Sequence, residues 1–123
     1  LDVWVRSRRG ETQLPFADDV DPAAWPDGSA VALIGVFHNP LRLRLDRAGT
    51  QWTRRFGRDV HGRFLDEFAG RDPFDGLEEQ CSAAIRSRGP AHAAAAGTRP
   101  ARLVLPYWGD GHVSTLVAVL EPD

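Results

Sequence analysis

Residues 30–57, "AVALIGVFHNPLRLRLDRAGTQWTRRFG", decide the fold, because the hydrophobic period changes within them. Residues 30–37, "AVALIGVF", form a continuous apolar run of strand length, the pattern of a central strand buried on both faces. "HNP" turns the chain. Residues 41–46, "LRLRLD", then alternate. Leu41, Leu43 and Leu45 are expected to face inward and Arg42 and Arg44 outward, on a half-exposed strand antiparallel to the first and near a sheet edge. From Thr50 the spacing turns helical: Thr50 can cap, Trp52 and Phe56 lie one turn apart, and Gly57 can stop the helix.

Downstream, "RFLDEFA" (63–69) holds Phe64, Leu65 and Phe68 at helical spacing, and Gly70 closes it. The best-marked helix is expected over 73–88, with Asp72 as N-cap and Pro73 as its first residue. Phe74, Leu77, Cys81 and Ile85 form its apolar stripe, Arg86 and Arg88 sit at the negative end of its dipole, and Gly89-Pro90 stop it. Three strands are expected next: "AHAAAAG" (91–97), "ARLVLPYW" (101–108) and "HVSTLVAVLEP" (112–122). Leu103, Leu105 and Tyr107 share one face of the second, and "GDG" (109–111) is the hairpin turn into the third. Upstream, residues 1–9 read as a short amphipathic helix ended by Gly10. Residues 11–29 read as an irregular lead-in with one helical turn at Pro22–Trp25 capped by Asp21. The expected architecture is α+β: an N-terminal helix and lead-in (1–29), then a domain (30–123) built as a five-stranded antiparallel sheet with short helices on one face.

The 123 residues suit one domain. A charged fraction of 26% with 42% apolar residues argues against disorder, and a net charge of −2 supplies no field to recruit nucleic acid or anionic lipid. All fifteen basic residues are arginine, a composition read as GC-rich coding. The chain contains no methionine, so Leu1 is read as lying inside a longer natural chain. Cys81 is the single cysteine, which excludes an intrachain disulfide or a zinc knuckle within the sequence and fits a reducing compartment. The longest apolar run falls far short of the roughly 20 residues of a membrane helix, and the N-terminus lacks the shape of a signal peptide. A cytoplasmic location without membrane or nucleic-acid partners is therefore expected.

A hairpin, a helical middle and a three-strand meander is the layout of the PAS fold. "LPFADDVDP" near the N-terminus, "LRLRLDRAGTQWTRRFGRDVHGR" in the middle and "ARLVLPYWGDG…LVAVLE" at the end stand in matching order. Together they make the chain resemble a family of short bacterial single-PAS proteins of unassigned function, with "AGTQWTRRFGRDVHGR" as the most specific block. The resemblance covers nearly the whole chain. It implies a non-enzymatic sensory or protein-interaction module in signalling, acting through flanking helices and a dimer partner. Within such a fold "FGRDVHGRF" (56–64) is the joint between two short helices: Gly57 ends the first, Asp59 caps amides beyond it, and Gly62 permits the tight turn. Arg58 and Asp59 then read as a structural clamp.

The space between helices and sheet is expected to be lined by Trp52, Phe56, Phe64, Phe68, Leu77, Cys81 and Ile85. Leu103, Leu105, Leu116 and Ala118 would face them from the strands. This space either holds a small apolar ligand or is simply core, and the density of protein interiors favours core. No cofactor is expected. His38, His61, His92 and His112 have no helical metal-pair spacing, and the long helix carries no histidine for haem, which leaves His92 as a remote ligand candidate. Cys81 lacks a partner fixed by sequence to activate it, and the acidic pairs Asp18-Asp19, Asp66-Glu67 and Glu78-Glu79 point apart. The alternative class is a small enzyme of the cone-shaped α+β type, which needs inward His or Asp groups where this sequence places apolar ones. Leu1, Trp4 and Val5 share one side of the N-terminal segment and are expected to dock on the sheet or to form the interface of a homodimer.

Overall fold

The computed structural model describes residues 4–5, 14–17, 20, 25, 27–38, 40–68, 71, 73–97, 99–109 and 111–121. Of the expected N-terminal helix, Trp4 and Val5 are helical; Leu1 and Gly10 lie outside the described residues, as do the proposed caps Asp21 and Asp72 and the turn residue Asp110.

The first apolar run forms β1 (Val31–Phe37) and the alternating run forms β2 (Arg42–Ala48). The helical middle consists of α1 (Thr50–Phe56), a 3-10 turn (Leu65–Phe68) and α2 (Leu77–Ser87). The chain then makes β3 (Ala91–Ala93), β4 (Arg102–Gly109) and β5 (His112–Leu120). All pairings are antiparallel, and the strand order is β2-β1-β5-β4-β3. The last strand thus lies between the first hairpin and the rest of the meander. The fold is α+β with a five-stranded antiparallel sheet. No helix among the described residues is long and apolar enough to cross a membrane.

Register and alternation assign the two faces of the sheet. Arg102 reaches carbonyls ahead of α2, so it points to the helix side. Val104 pairs with Ala118, Ala118 with Ala32, Leu116 with Ile34, Ile34 with Leu45 and Val36 with Leu43, so these residues share that side. All of them are buried. Trp52 locks α1 onto this face, its indole N–H donating to the Ala30 carbonyl at 2.7 Å while the ring is fully buried.

The other face carries both buried and exposed apolar residues. Leu105, Tyr107 and Val117 are buried there and share one apolar cluster with Trp4, Leu14 and Trp25 from the lead-in. β3 pairs with β4 only as far as Val104, which leaves the β4 edge from Pro106 onward unpaired by β3. The lead-in takes that edge: the Trp4 indole donates to the Pro106 carbonyl at 2.7 Å, and the Trp108 N–H donates to the Pro15 carbonyl at 2.7 Å. An edge covered in this way cannot template pairing with another chain.

Several boundaries depart from the expectation, each for a tertiary reason. Leu41 is 44% exposed, because the first turn extends through it and the ladder begins at Phe37 opposite Arg42. Gly49, not Thr50, precedes α1, and no side chain caps it. A Cβ at Gly49 would lie 2.3 Å from the Ser29 carbonyl oxygen, so glycine alone lets this corner pack on the 3-10 turn Gly28–Ala30. The helix expected from Pro73 begins at Leu77. Pro73–Gly76 form turns instead, and Gly76 enters the helix at φ 72. At the far end the left-handed residue is Arg88 (φ 54) rather than Gly89. That conformation costs a non-glycine residue roughly 1–2 kcal/mol. It places the Arg88 guanidinium 5.0 Å from the centre of the Trp108 ring. The strand expected over 91–97 stops at Ala93, and Ala96 and Arg99 exchange a pair of backbone hydrogen bonds in a separate turn.

Candidate functional site

The space between helices and sheet is occupied by rings. Phe56, Phe68 and Phe74 pack with centroids 4.8, 5.3 and 5.0 Å apart, and Trp52 lies 5.7 Å from Phe74. Leu77 and Cys81 are fully buried, and Ile85 packs against the cluster from a partly exposed position. Trp52, Phe56, Phe68, Leu77, Cys81 and Ile85 therefore come together as the sequence suggests, and Phe74 joins them.

Three of the expected lining residues do not. Leu103 and Leu105 alternate with Arg102 and Val104, so they lie on the opposite face of the sheet. Phe64 belongs to the sheet edge: its ring pairs with Phe37 at 6.2 Å, and the Arg42 guanidinium covers it at 3.7 Å. The reason is backbone pairing, since Phe64 bridges to Arg44 alongside β2.

Burial pushes the Cys81 thiol up to about 12, against the smaller opposing pull of Arg102. A thiol so protonated has no nucleophilic character at neutral pH. His92 is not aimed at the core; its Nε2 lies 3.2 Å from Glu121 on an exposed surface. His38 and His112 meet edge to face at 4.7 Å. Trp4, expected at an interface, is 4% exposed within its own chain, whereas Val5 is 47% exposed.

Sequence reading missed one polar centre of the core. Arg102 is 1% exposed, and its Nε donates to Gln80 Oε1 at 2.9 Å. Its Nη1 donates to the carbonyls of Pro73 (2.8 Å) and Asp75 (2.7 Å). Gln80 completes the network by donating to the carbonyls of Ala91 and Arg102. The signal was present in the sequence as a single arginine opening an apolar strand. The network ties β3, β4 and the entry to α2 together and presents no group to solvent.

The joint at 56–64 is the richest polar surface. Gly57 ends α1 at φ 97 and Gly62 turns at φ 77, as the sequence implies. Asp59 Oδ1 accepts the His61 backbone N–H at 3.1 Å and lies 2.6 Å from His61 Nδ1. The His61 backbone N–H and then the imidazole hold the Asp59 carboxyl below its ordinary pKa. The other ring nitrogen, Nε2, accepts the Ala48 N–H at 3.3 Å, which requires Nδ1 to carry the proton toward Asp59. Gly62 N–H donates to the Leu45 carbonyl and Leu45 N–H to the Arg63 carbonyl, at 2.7 and 2.8 Å. The joint thus lies along the exposed edge of β2. Arg58, expected to share the clamp with Asp59, instead stands 5.3 Å over the Phe56 ring.

Two adjoining clefts open on this joint. One, of about 590 Å³, is lined by Ala48, Thr50, Thr53, Arg54, Gly57, Arg58, Asp59 and His61. The other, of about 680 Å³, shares Ala48, Thr50 and His61 and adds Val31, Leu33, Arg47, Ser29, Gly28 and Gly49. The arrangement is cationic and rich in hydroxyls. No protein-family model and no curated protein matches the chain.

Proposed function

We propose that the chain is a PAS-type module of signalling that works by protein–protein contact rather than by catalysis. The observation that carries this reading is the layout, with a hairpin, a helical middle on one face and a meander whose last strand pairs with the first. The ring-filled interior favours contact over the alternative of a small apolar ligand held in the core. It equally disfavours a cone-shaped enzyme, which needs His or Asp groups inside where Trp52, Phe68 and Phe74 stand.

The contact surface is the uncovered half of the sheet at β1 and β2. Phe37 is 42% exposed and Leu41 44%. Arg44 lies over Phe37 at 4.8 Å and Arg42 over Phe64. Asp46 and Asp66 pair with these arginines at 2.6 and 3.2 Å, so the surface around Phe37 and Leu41 is apolar and nearly neutral, while Arg47 stands at the far end of β2. Two copies of such a face can meet without charge repulsion, and a homodimer across it is the assembly proposed. Sedimentation of the intact chain and of Phe37→Ser/Leu41→Ser tests it. A concentration-dependent dimer that the double substitution abolishes is the expected result. A dimer untouched by it, or a chain that stays monomeric at every soluble concentration, overturns the assembly. Native mass spectrometry of the fresh protein is expected to show polypeptide mass alone. A small molecule retained one per chain would restore the ligand-holding reading.

A further inference from the structure

We propose that the paired clefts at the 56–64 joint bind a small molecule through a phosphate monoester. Arg47 on β2, Arg54 on α1 and Arg58 after it line these clefts from three positions in the chain. Among the described residues, none of the three forms an ion pair. Their neighbours do: Arg42, Arg44 and Arg63 pair with Asp66, Asp46 and Glu67. Arg42, Arg44 and Arg63 are thus held by carboxylates, while among the described residues the guanidiniums of the clefts are not.

The remaining lining suits an anion. Among the described residues Asp59 is the one carboxylate lining them, and its Oδ1 is already engaged by the His61 N–H and ring. Thr50 is shared by both clefts and offers a hydroxyl donor. The His61 ring supplies no donor to such an anion, since Nδ1–H faces Asp59 and Nε2 accepts from Ala48, so the guanidiniums and Thr50 make the contact. Guanidinium forks match phosphate oxygens two at a time; Arg54 and Arg58 outnumber the Asp59 carboxylate in the first cleft, and Arg47 adds a guanidinium in the second. A cleft of this size admits a small molecule beyond its phosphate. The site is separate from the ring-filled interior, and its second cleft touches the far end of the β1–β2 face through Leu33 and Arg47; Arg54 and Arg58 stand outside that face, so their substitution tests the site independently of the assembly proposed above.

Two-dimensional amide NMR of the intact chain, titrated with inorganic phosphate and with glycerol 3-phosphate against sodium acetate at matched ionic strength, tests it. The expected result is saturable movement of the Ala48, Thr50 and His61 amides by both phosphates, with Kd of about 1 mM or tighter for the ester. Arg54→Gln/Arg58→Gln is expected to weaken binding at least about tenfold, which corresponds to about 1.4 kcal/mol. Arg47→Gln should weaken it by a smaller factor, and Arg86→Gln, on α2 outside the clefts, should leave it unchanged. Movement that never saturates, equal movement with acetate, or an unchanged Kd in the Arg54/Arg58 variant overturns the site. The amide spectrum of each variant shows directly whether it is folded.

Discussion

At Asp59, one carboxylate oxygen serves two donors of the same residue. It fastens the His61 backbone and fixes the ring tautomer, and the ring in turn accepts from β2. Because its folded pKa lies below the ordinary aspartate value of 3.8, its contribution to stability is fully present above that value and is lost as pH falls through the folded one. Asp27 behaves likewise, held down first by the Ser29 hydroxyl and then by the Ser29 N–H. The urea midpoint is therefore expected to fall on the acid side, between about pH 5 and about pH 2. In Asp59→Asn that acid-side fall should be smaller, because one of the titrating groups has gone. An unchanged slope would show that the Asp59 bonds do not persist in solution. The role of Asp59 was legible because a short carboxylate three residues before a turn glycine caps amides locally. The Ala48 partner was not legible, since no local rule says which strand the joint will lie along.

At the scale of elements, α2 shows how a long-range contact moves a boundary. Asp-Pro followed by an apolar stripe is a helix start by local rules. Arg102 instead takes the Pro73 and Asp75 carbonyls, and Leu77 N–H closes a turn onto Phe74 at 3.0 Å. Of the stripe, Leu77 and Cys81 are buried and Ile85 partly so, as 3.6-residue periodicity requires, whereas Phe74 is buried from the turn ahead of the helix. Arg102→Ala is expected to lower the unfolding free energy by on the order of 3 kcal/mol, since it leaves Gln80 and two carbonyls without a donor and opens a void. Urea denaturation checks it, and a loss below about 0.5 kcal/mol, the range of surface substitutions, would contradict the clamp.

For the whole molecule, the N-terminal segment completes the sheet. Trp4 seals the β4 edge where β3 ends and shares its apolar cluster with Leu105 and Val117. Trp4→Ala is expected to cost roughly 3–5 kcal/mol, the usual range for a buried tryptophan truncated to alanine, and to leave the sedimentation coefficient of the assembly unchanged. A dimer that dissociates on this substitution alone, with the monomer's stability intact, would return Trp4 to an interface.

Periodicity and turn chemistry determined the five strands, the helices after Thr50 and after Pro73, and their order. A continuous apolar run, a Leu-Arg alternation and helical aromatic spacing each report burial on a different geometry. The same logic picked out most of the ring-filled core. Which face Leu103 and Leu105 would occupy was decided only in the tertiary structure, because alternation marks two faces without naming the one that meets the helices. The placement of Phe64 beside Phe37, the capture of Arg102 and the approach of His61 to Ala48 are likewise tertiary. Each depends on residues far apart in the chain, and a one-dimensional pattern carries no distance between them.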